Sequence, residues 1–251
     1  MKTERVARVL AEMKKLGLSQ MIITDPTSIS YLAVHYENPI ERFWALYLRE
    51  DGQHKLEANR LFTINDVSGV DILWYTDSED GTAVLNPYID HSAVLGIDKV
   101  MSAKFLIRLM EQGAAAKYVN GSDCVDNIRS RKDAEEQEKM REASRINDAA
   151  MAKFKELVHE GMTELQIADQ MEAIYKSLGA EGYSFDPLVG FGGNAANGHH
   201  EPDATVLKKG DCVLFDVGCK KDGYCSDMTR TFFFGEVSEE HRKVYETVLR
   251  A

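Results

Sequence analysis

The sequence predicts a mixed fold in two parts, an α/β domain followed by an α+β one, on three observations. Helical and extended signals alternate through the first half of the chain, as they do where helices cover a mostly parallel sheet. From Asp133 the composition switches to a long charged helical run, "DAEEQEKMREASRINDAAMAKFKELVHEG". Near the end, "GDCVLFDVGCKKDGYCSDMTRTFFFG" sets two β-branched and aromatic runs around an Asp-Gly pair, the pattern of a hairpin.

The elements follow in order. "MKTERVARVLAEMKKLG" reads as an amphipathic helix with Val6, Val9, Leu10 and Met13 on one side, a spacing of three and four. "QMIIT" is a strand, and Asp25-Pro26 starts a short helix, because proline at the first helical position gives up an N–H that has no partner there. "FWALYL" and "HKLEA" flank Asp51-Gly52 as a second hairpin, and "DILWY", "AVLGID" and "KYVNGS" are further strands, with helices near residues 81 to 90 and 102 to 112. The break around residues 124 to 133 divides the chain, 1–127 from 128–251. In the long helix that follows, Met140, Ala143, Asn147, Ala150, Phe154, Leu157 and Val158 trace the buried side, and Gly161 ends it. "TELQ" at Thr163 to Gln166 is a capping box that opens another helix, closed by Gly179. Extended chain, a glycine- and asparagine-rich loop, the hairpin and a last helix from Ser238 complete the pattern.

With 251 residues the chain suits two ordinary domains. Thirty basic against 41 acidic side chains give a net charge of −11, which opposes binding to nucleic acid or anionic membrane. No apolar run approaches the roughly 18 residues of a membrane span, and the charged start lacks the apolar stretch of a signal peptide. Four cysteines without a C-x-x-C pair fit free thiols in a reducing cytoplasm.

Three constellations carry chemistry. In the hairpin, an even-numbered loop puts Asp216 directly or diagonally opposite Asp227 on one face. Two carboxylates that close repel unless a cation sits between them, and a divalent metal satisfies both, with Gly218 expected to leave room. An edge hairpin with both aspartates in water gives the same pattern, so spacing alone leaves the two readings open. The second constellation, "GFGGNAANGHHEPD", fits G-x-G-x-x-A at Gly190, Gly192 and Ala195. A dinucleotide site needs a helix to open there, and Asn197, Gly198 and Pro202 exclude one. What remains is a loop delivering His199 and His200, of which one at most faces a site, since adjacent side chains on extended chain point apart. The third, "HYENPIERF", offers His35, Glu41 and Arg42 as a substrate-side element, against the plain reading of a solvated loop.

Together "FDPLVGFGGNAANGHHEPD" and the hairpin resemble the metal-dependent peptidases of the pita-bread (creatinase/aminopeptidase) fold, most closely the bacterial Xaa-Pro dipeptidases, or prolidases. The resemblance implies a small creatinase-type N-terminal α/β domain followed by the first half of a pita-bread domain. It implies that Asp216 binds one metal and Asp227 bridges two, manganese foremost and cobalt or zinc as alternatives. His199 then contacts substrate or tetrahedral intermediate, Thr229 supports the metal carboxylates, and His200, His35 and Arg42 are candidate substrate contacts. The family completes its site with a histidine and two glutamates roughly a hundred residues further on. The chain stops before them, so a piece of a longer enzyme is expected, with hairpin edges and an apolar face left uncovered and, by itself, neither tight binding of two metals nor turnover. The partners expected are a small peptide substrate and a second copy in a homodimer. Competing readings are a non-catalytic binding or scaffold protein, an Xaa-Pro aminopeptidase of longer peptides, and a metal-free creatinase-like amidinohydrolase.

Overall fold

A computed structural model describes residues 1–64 and 67–251, which divide into two units, Met1–Arg131 and Lys132–Ala251. In the first, helix α1 (Thr3–Lys15) is followed by strand β1 (Gln20–Ile23), α2 (Pro26–Ala33), β2 (Ala45–Arg49), β3 (Lys55–Asn59) and β4 (Asp71–Tyr75). Then come α3 (Gly81–Leu85), β5 (Val94–Ile97), α4 (Ala103–Glu111), β6 (Lys117–Asn120) and α5 (Asp123–Ser130). The strands form one sheet in the order β4-β3-β2-β1-β5-β6, parallel except where β2 meets β1 and β3. Both faces are covered, which is why β1 and the centre of β2 are apolar without alternation. Met21, Ile23, Leu46 and Leu48 pack in one cluster with Val6, Val9 and Met13 of α1 and Ile128 of α5. Ile22, Ala45 and Tyr47 turn the other way, toward Leu85 and Leu109.

Local chemistry explains the boundaries. Asp25 caps α2 by accepting from the N–H groups of Thr27 and Ser28, with Pro26 as the first helical residue. The helix expected over residues 81 to 90 is shorter, α3 giving way to a 3-10 turn at Asn86–Tyr88; Pro87 lacks the N–H that a longer helix needs. Within the stretch read as a break lies α5, whose Cys124, Val125 and Ile128 are buried.

The second unit runs α6 (Ala134–Glu156), α7 (Glu164–Ser177), β7 (Gly182–Tyr183), β8 (Leu188–Phe191), β9 (Cys212–Val217), β10 (Cys219–Lys221), β11 (Tyr224–Cys225), β12 (Met228–Phe233) and α8 (Glu239–Arg250). Capping boxes at Asp133 and Thr163 start α6 and α7. The buried side of α6 is Ala143, Ile146, Asn147, Ala150, Met151 and Phe154; Met140, expected there, is 36% exposed. The helix also ends at Glu156, before Gly161. Apolar residues of α6 and α7 pack on one face of the sheet β12-β9-β8 through Val189, Phe191, Val213, Phe215 and Val217.

The C-terminal hairpin serves two sheets. From Cys212 opposite Phe233 to Lys221 opposite Tyr224 the register runs without a slip, closed by Asp222 and Gly223 at φ 49° and 76°, as a two-residue type I′ turn requires. Beyond Val217 the ribbon leaves β8 and pairs with β7 instead. On α8, Val244, Val248 and Leu249 are each more than half exposed, the uncovered apolar face expected at this end.

Candidate active site

Continuous register places the hairpin carboxylates. Thr229 lies opposite Asp216, and Met228 opposite Val217, so Asp227 follows opposite Gly218 and sits diagonally across from Asp216. Alternation turns Asp216, Asp227 and Thr229 to the face away from α6 and α7, while Val217, Met228 and Phe232 join the core. Asp216 is half-buried; Asp227 and Thr229 are exposed. Thr229 Oγ1 donates to Asp216 Oδ1 at 2.8 Å, leaving Oδ2 without a partner among the described residues. The Asp227 carboxylate has none there either. Two carboxylates with free oxygens and no cationic partner among the described residues, on one side of a ribbon and separated by about 7–8 Å at the backbone, suit an oxygen-seeking divalent cation.

Gly218 does not provide the room expected of it. A Cβ at that position would lie 2.1 Å from the Ser226 carbonyl oxygen and 2.2 Å from Ser184 Oγ. Those atoms occupy the space, and Ser184 Oγ donates to the Ser226 carbonyl at 2.8 Å. The end of β9 is held from the helices as well: Tyr175 donates to Asn147 Oδ1 at 2.6 Å, and Asn147 Nδ2 donates to the Val217 carbonyl at 3.2 Å. Burial pushes the Tyr175 hydroxyl pKa up, so it stays a donor.

On the other side of β9, Leu188 of β8 lies opposite Asp216. The chain then enters a 3-10 turn, Gly192–Ala196. Gly190 suits the close return of this turn: a Cβ there would stand 3.1 Å from the Ala195 backbone nitrogen, tighter than ordinary contact. The glycine pattern thus serves a tight turn and no dinucleotide. Gly192, Ala195 and Ala196 share one cleft with Leu214, Thr229 and Thr231, so loop and hairpin face a common space.

The two histidines part ways. His199 is exposed, its N–H donating to Asn197 Oδ1 at 3.1 Å. His200 turns inward, its Nε2 2.6 Å from Glu164 Oε2, so the substrate contact expected of His200 is replaced by an internal one. Glu164 is fully buried at the start of α7. Its Oε1 also accepts from Phe191 N at 2.7 Å and Asn194 Nδ2 at 3.0 Å, and its Oε2 from Asp203 N at 3.0 Å. Glu164, His200 and Asp203 bring ligand atoms within 4.8 Å of one another, yet they do not suit a metal. Four donors already meet the Glu164 carboxylate, about its full capacity. Asp203 is committed too, its carboxyl held below the usual range by the hydroxyl and N–H of Thr205. The group is a loop anchor. Sequence reasoning missed Glu164 because inside "TELQ" it reads as one more acidic residue in a first turn.

The remaining candidates belong to the first unit. His35 Nε2 stands 3.6 Å from a Glu37 oxygen, too long for a hydrogen bond, and its ring meets Trp44 edge-on. Arg42 is held by Asp77 through Nε and Nη2, both at 2.9 Å. That pairing raises the Arg42 pKa and occupies the fork a substrate carboxylate would need.

The family model for metallopeptidase family M24 matches residues 138–251, and the model for the creatinase/prolidase N-terminal domain matches residues 5–131. Over 98% of its length the chain is 29% identical to an uncharacterized peptidase of Staphylococcus aureus, spanning 71% of that protein. Among solved structures, a prolidase from Thermococcus sibiricus superposes with a TM-score of 0.89 at 29% identity, over 100% of this chain and 70% of that one. A dipeptidase from Pyrococcus horikoshii OT3 gives 0.88 at 30% identity, over 97% and 69%.

Proposed function

Because the chain belongs to metallopeptidase family M24, behind a creatinase/prolidase N-terminal domain, we propose that it serves the metal-dependent hydrolysis of Xaa-Pro dipeptides, releasing proline. The observation that carries this reading is the face of β9 and β12 on which Asp216 and Asp227 stand together without a cationic partner among the described residues, with Thr229 orienting Asp216. The prolidase and dipeptidase among its structural neighbours supply the substrate class.

In this reading Asp216 and Asp227 hold the divalent cations, manganese foremost. Two carboxylates fill only part of each ion's shell, so further ligands come from outside this hairpin. When bound, the metal supplies Lewis acidity and lowers the pKa of water toward 7. Thr229 keeps one lone pair of Asp216 engaged and so turns the other oxygen outward. His199, presented from the loop, donates a hydrogen bond to the oxyanion that develops on the carbonyl before proline. Leu214, Ala195 and Ala196 give the shared cleft an apolar lining, which suits the proline ring.

The test is release of free proline by the full-length protein with Mn²⁺, Co²⁺ or Zn²⁺, from an Xaa-Pro dipeptide and from a tripeptide with proline second. The dipeptide is expected to turn over, a chelator to stop it, and Asp227→Asn to lower kcat/KM about 100-fold or more. Turnover indifferent to both chelator and Asp227→Asn would overturn the metal assignment; preference for the tripeptide would move the substrate to longer peptides.

A further inference from the structure

Resting on that reading, we propose that Glu164 is the positioning residue of the site, and that its contact with His200 is what presents His199 to the substrate. Every carboxylate lone pair of Glu164 is spent on the segment 191–203, at both of its ends: Phe191 N and Asn194 Nδ2 on Oε1, His200 Nε2 and Asp203 N on Oε2. The backbone returns the grip, Glu164 N donating to the Thr205 carbonyl at 3.2 Å and Leu165 N to the Asp203 carbonyl at 3.1 Å. One rigid helix start therefore fixes the entry and the exit of the loop.

Thr163 already caps α7 through its own side chain, so the helix does not need Glu164 as a cap. Burying a carboxylate without partners is costly, and this one has 0% exposure. What the carboxylate adds is two acceptor atoms facing opposite ends of the loop, which no neutral side chain of that length offers. His200 is the lever. With its ring pinned inward at 11% exposure, and with His199 and His200 ending a turn closed by His200 N donating to the Asn197 carbonyl at 3.1 Å, the adjacent His199 is left on the exposed side of the loop. Adjacency thus gives the pair a division of labour: His200 is held so that His199 can act.

Glu164→Gln tests this with least change of shape. Glutamine keeps one acceptor oxygen, so the Phe191–Asn194 end stays held while the His200–Asp203 end loses its acceptor. In the full-length protein, amide hydrogen exchange is expected to rise about 10-fold at Asp203 and its neighbours, with α7 and β9 unchanged. Dipeptide kcat is expected to fall about 10-fold or more, with KM within threefold, as for lost support of an active group. His200→Gln, which retains a donor for Oε2, should keep kcat within about threefold, whereas His200→Ala should fall like Glu164→Gln. A substrate contact at His200 would instead raise KM, and a merely structural one would lower thermal stability without rescue by glutamine; either result overturns the proposal. Wild-type exchange in Glu164→Gln overturns it as well. Absence of dipeptide turnover in the wild type would remove the hydrolase reading only, and the exchange comparison would then decide whether Glu164 holds the loop.

Discussion

At Asp216 one hydroxyl decides how a carboxylate is presented. Thr229 is exposed and, among the described residues, makes a single side-chain bond, to Asp216 Oδ1, so its removal should leave stability within about 0.5 kcal/mol. Metal affinity is another matter, because a ligand whose outer partner is lost costs about 10–100-fold. Calorimetric titration of Mn²⁺ into Thr229→Val is expected to show weakening in that range, with Thr229→Ser close to wild type. Equal affinity in Thr229→Val would remove Thr229 from the site. That the two aspartates share a face was legible from alternating residues around a two-residue turn, whereas their role and that of Thr229 came only from the family resemblance. The histidines were legible only as a pair, since nothing in "GHHEPD" says which ring turns inward. Glu164, 36 residues before His200, decides that.

At the scale of elements, the hairpin bends where a side chain would not fit. Gly218 lets the Ser226 carbonyl and Ser184 approach, which carries the ribbon from the sheet of β9 into the sheet of β7 while Asp227 stays in register. Gly218→Ala is expected to destabilise the second unit by about 1–3 kcal/mol, as overpacking does, read by thermal circular dichroism, and to weaken Mn²⁺ binding with it. Unchanged stability would mean that the bend tolerates a methyl group. The capping box at Thr163, the Asp51-Gly52 and Asp222-Gly223 turns and the amphipathic stripe of α1 were readable because each depends on residues close in sequence. Short α5 and the two-residue β7 were not: the first carries only three buried apolar side chains, and the second exists because β10 pairs with it.

For the whole molecule, one pH-sensitive point lies away from the proposed chemistry, in the first unit. Glu57 is fully buried on β3 between Ala45 and Leu73, and neither of its oxygens has a hydrogen-bond partner among the described residues. Burial, with the charge of Glu79 adding to it, pushes its pKa up to about 9. An unfolded glutamate titrates near 4.3, so between those values the folded state binds the extra proton. Stability is then undiminished below the unfolded pKa and declines as pH rises toward 9, by up to about 1.4 kcal/mol per pH unit. Glu57→Gln should flatten this slope, so that its advantage over wild type grows from pH 6 to pH 9. Both tryptophans, Trp44 and Trp74, lie in the first unit, so fluorescence in denaturant titrations reads that unit alone; parallel pH profiles would refute a buried neutral acid. By itself the sequence determined the class of each half, the order of its longer helices and strands, and the hairpin that brings Asp216 and Asp227 to one face, because periodicity, caps and two-residue turns are written in neighbouring residues. Only the tertiary structure decided that Gly218 is filled, that Arg42 is taken by Asp77, and that His200 is buried against Glu164 while His199 is exposed. Those outcomes turn on which distant groups meet and which lone pairs they leave, and no local pattern carries that.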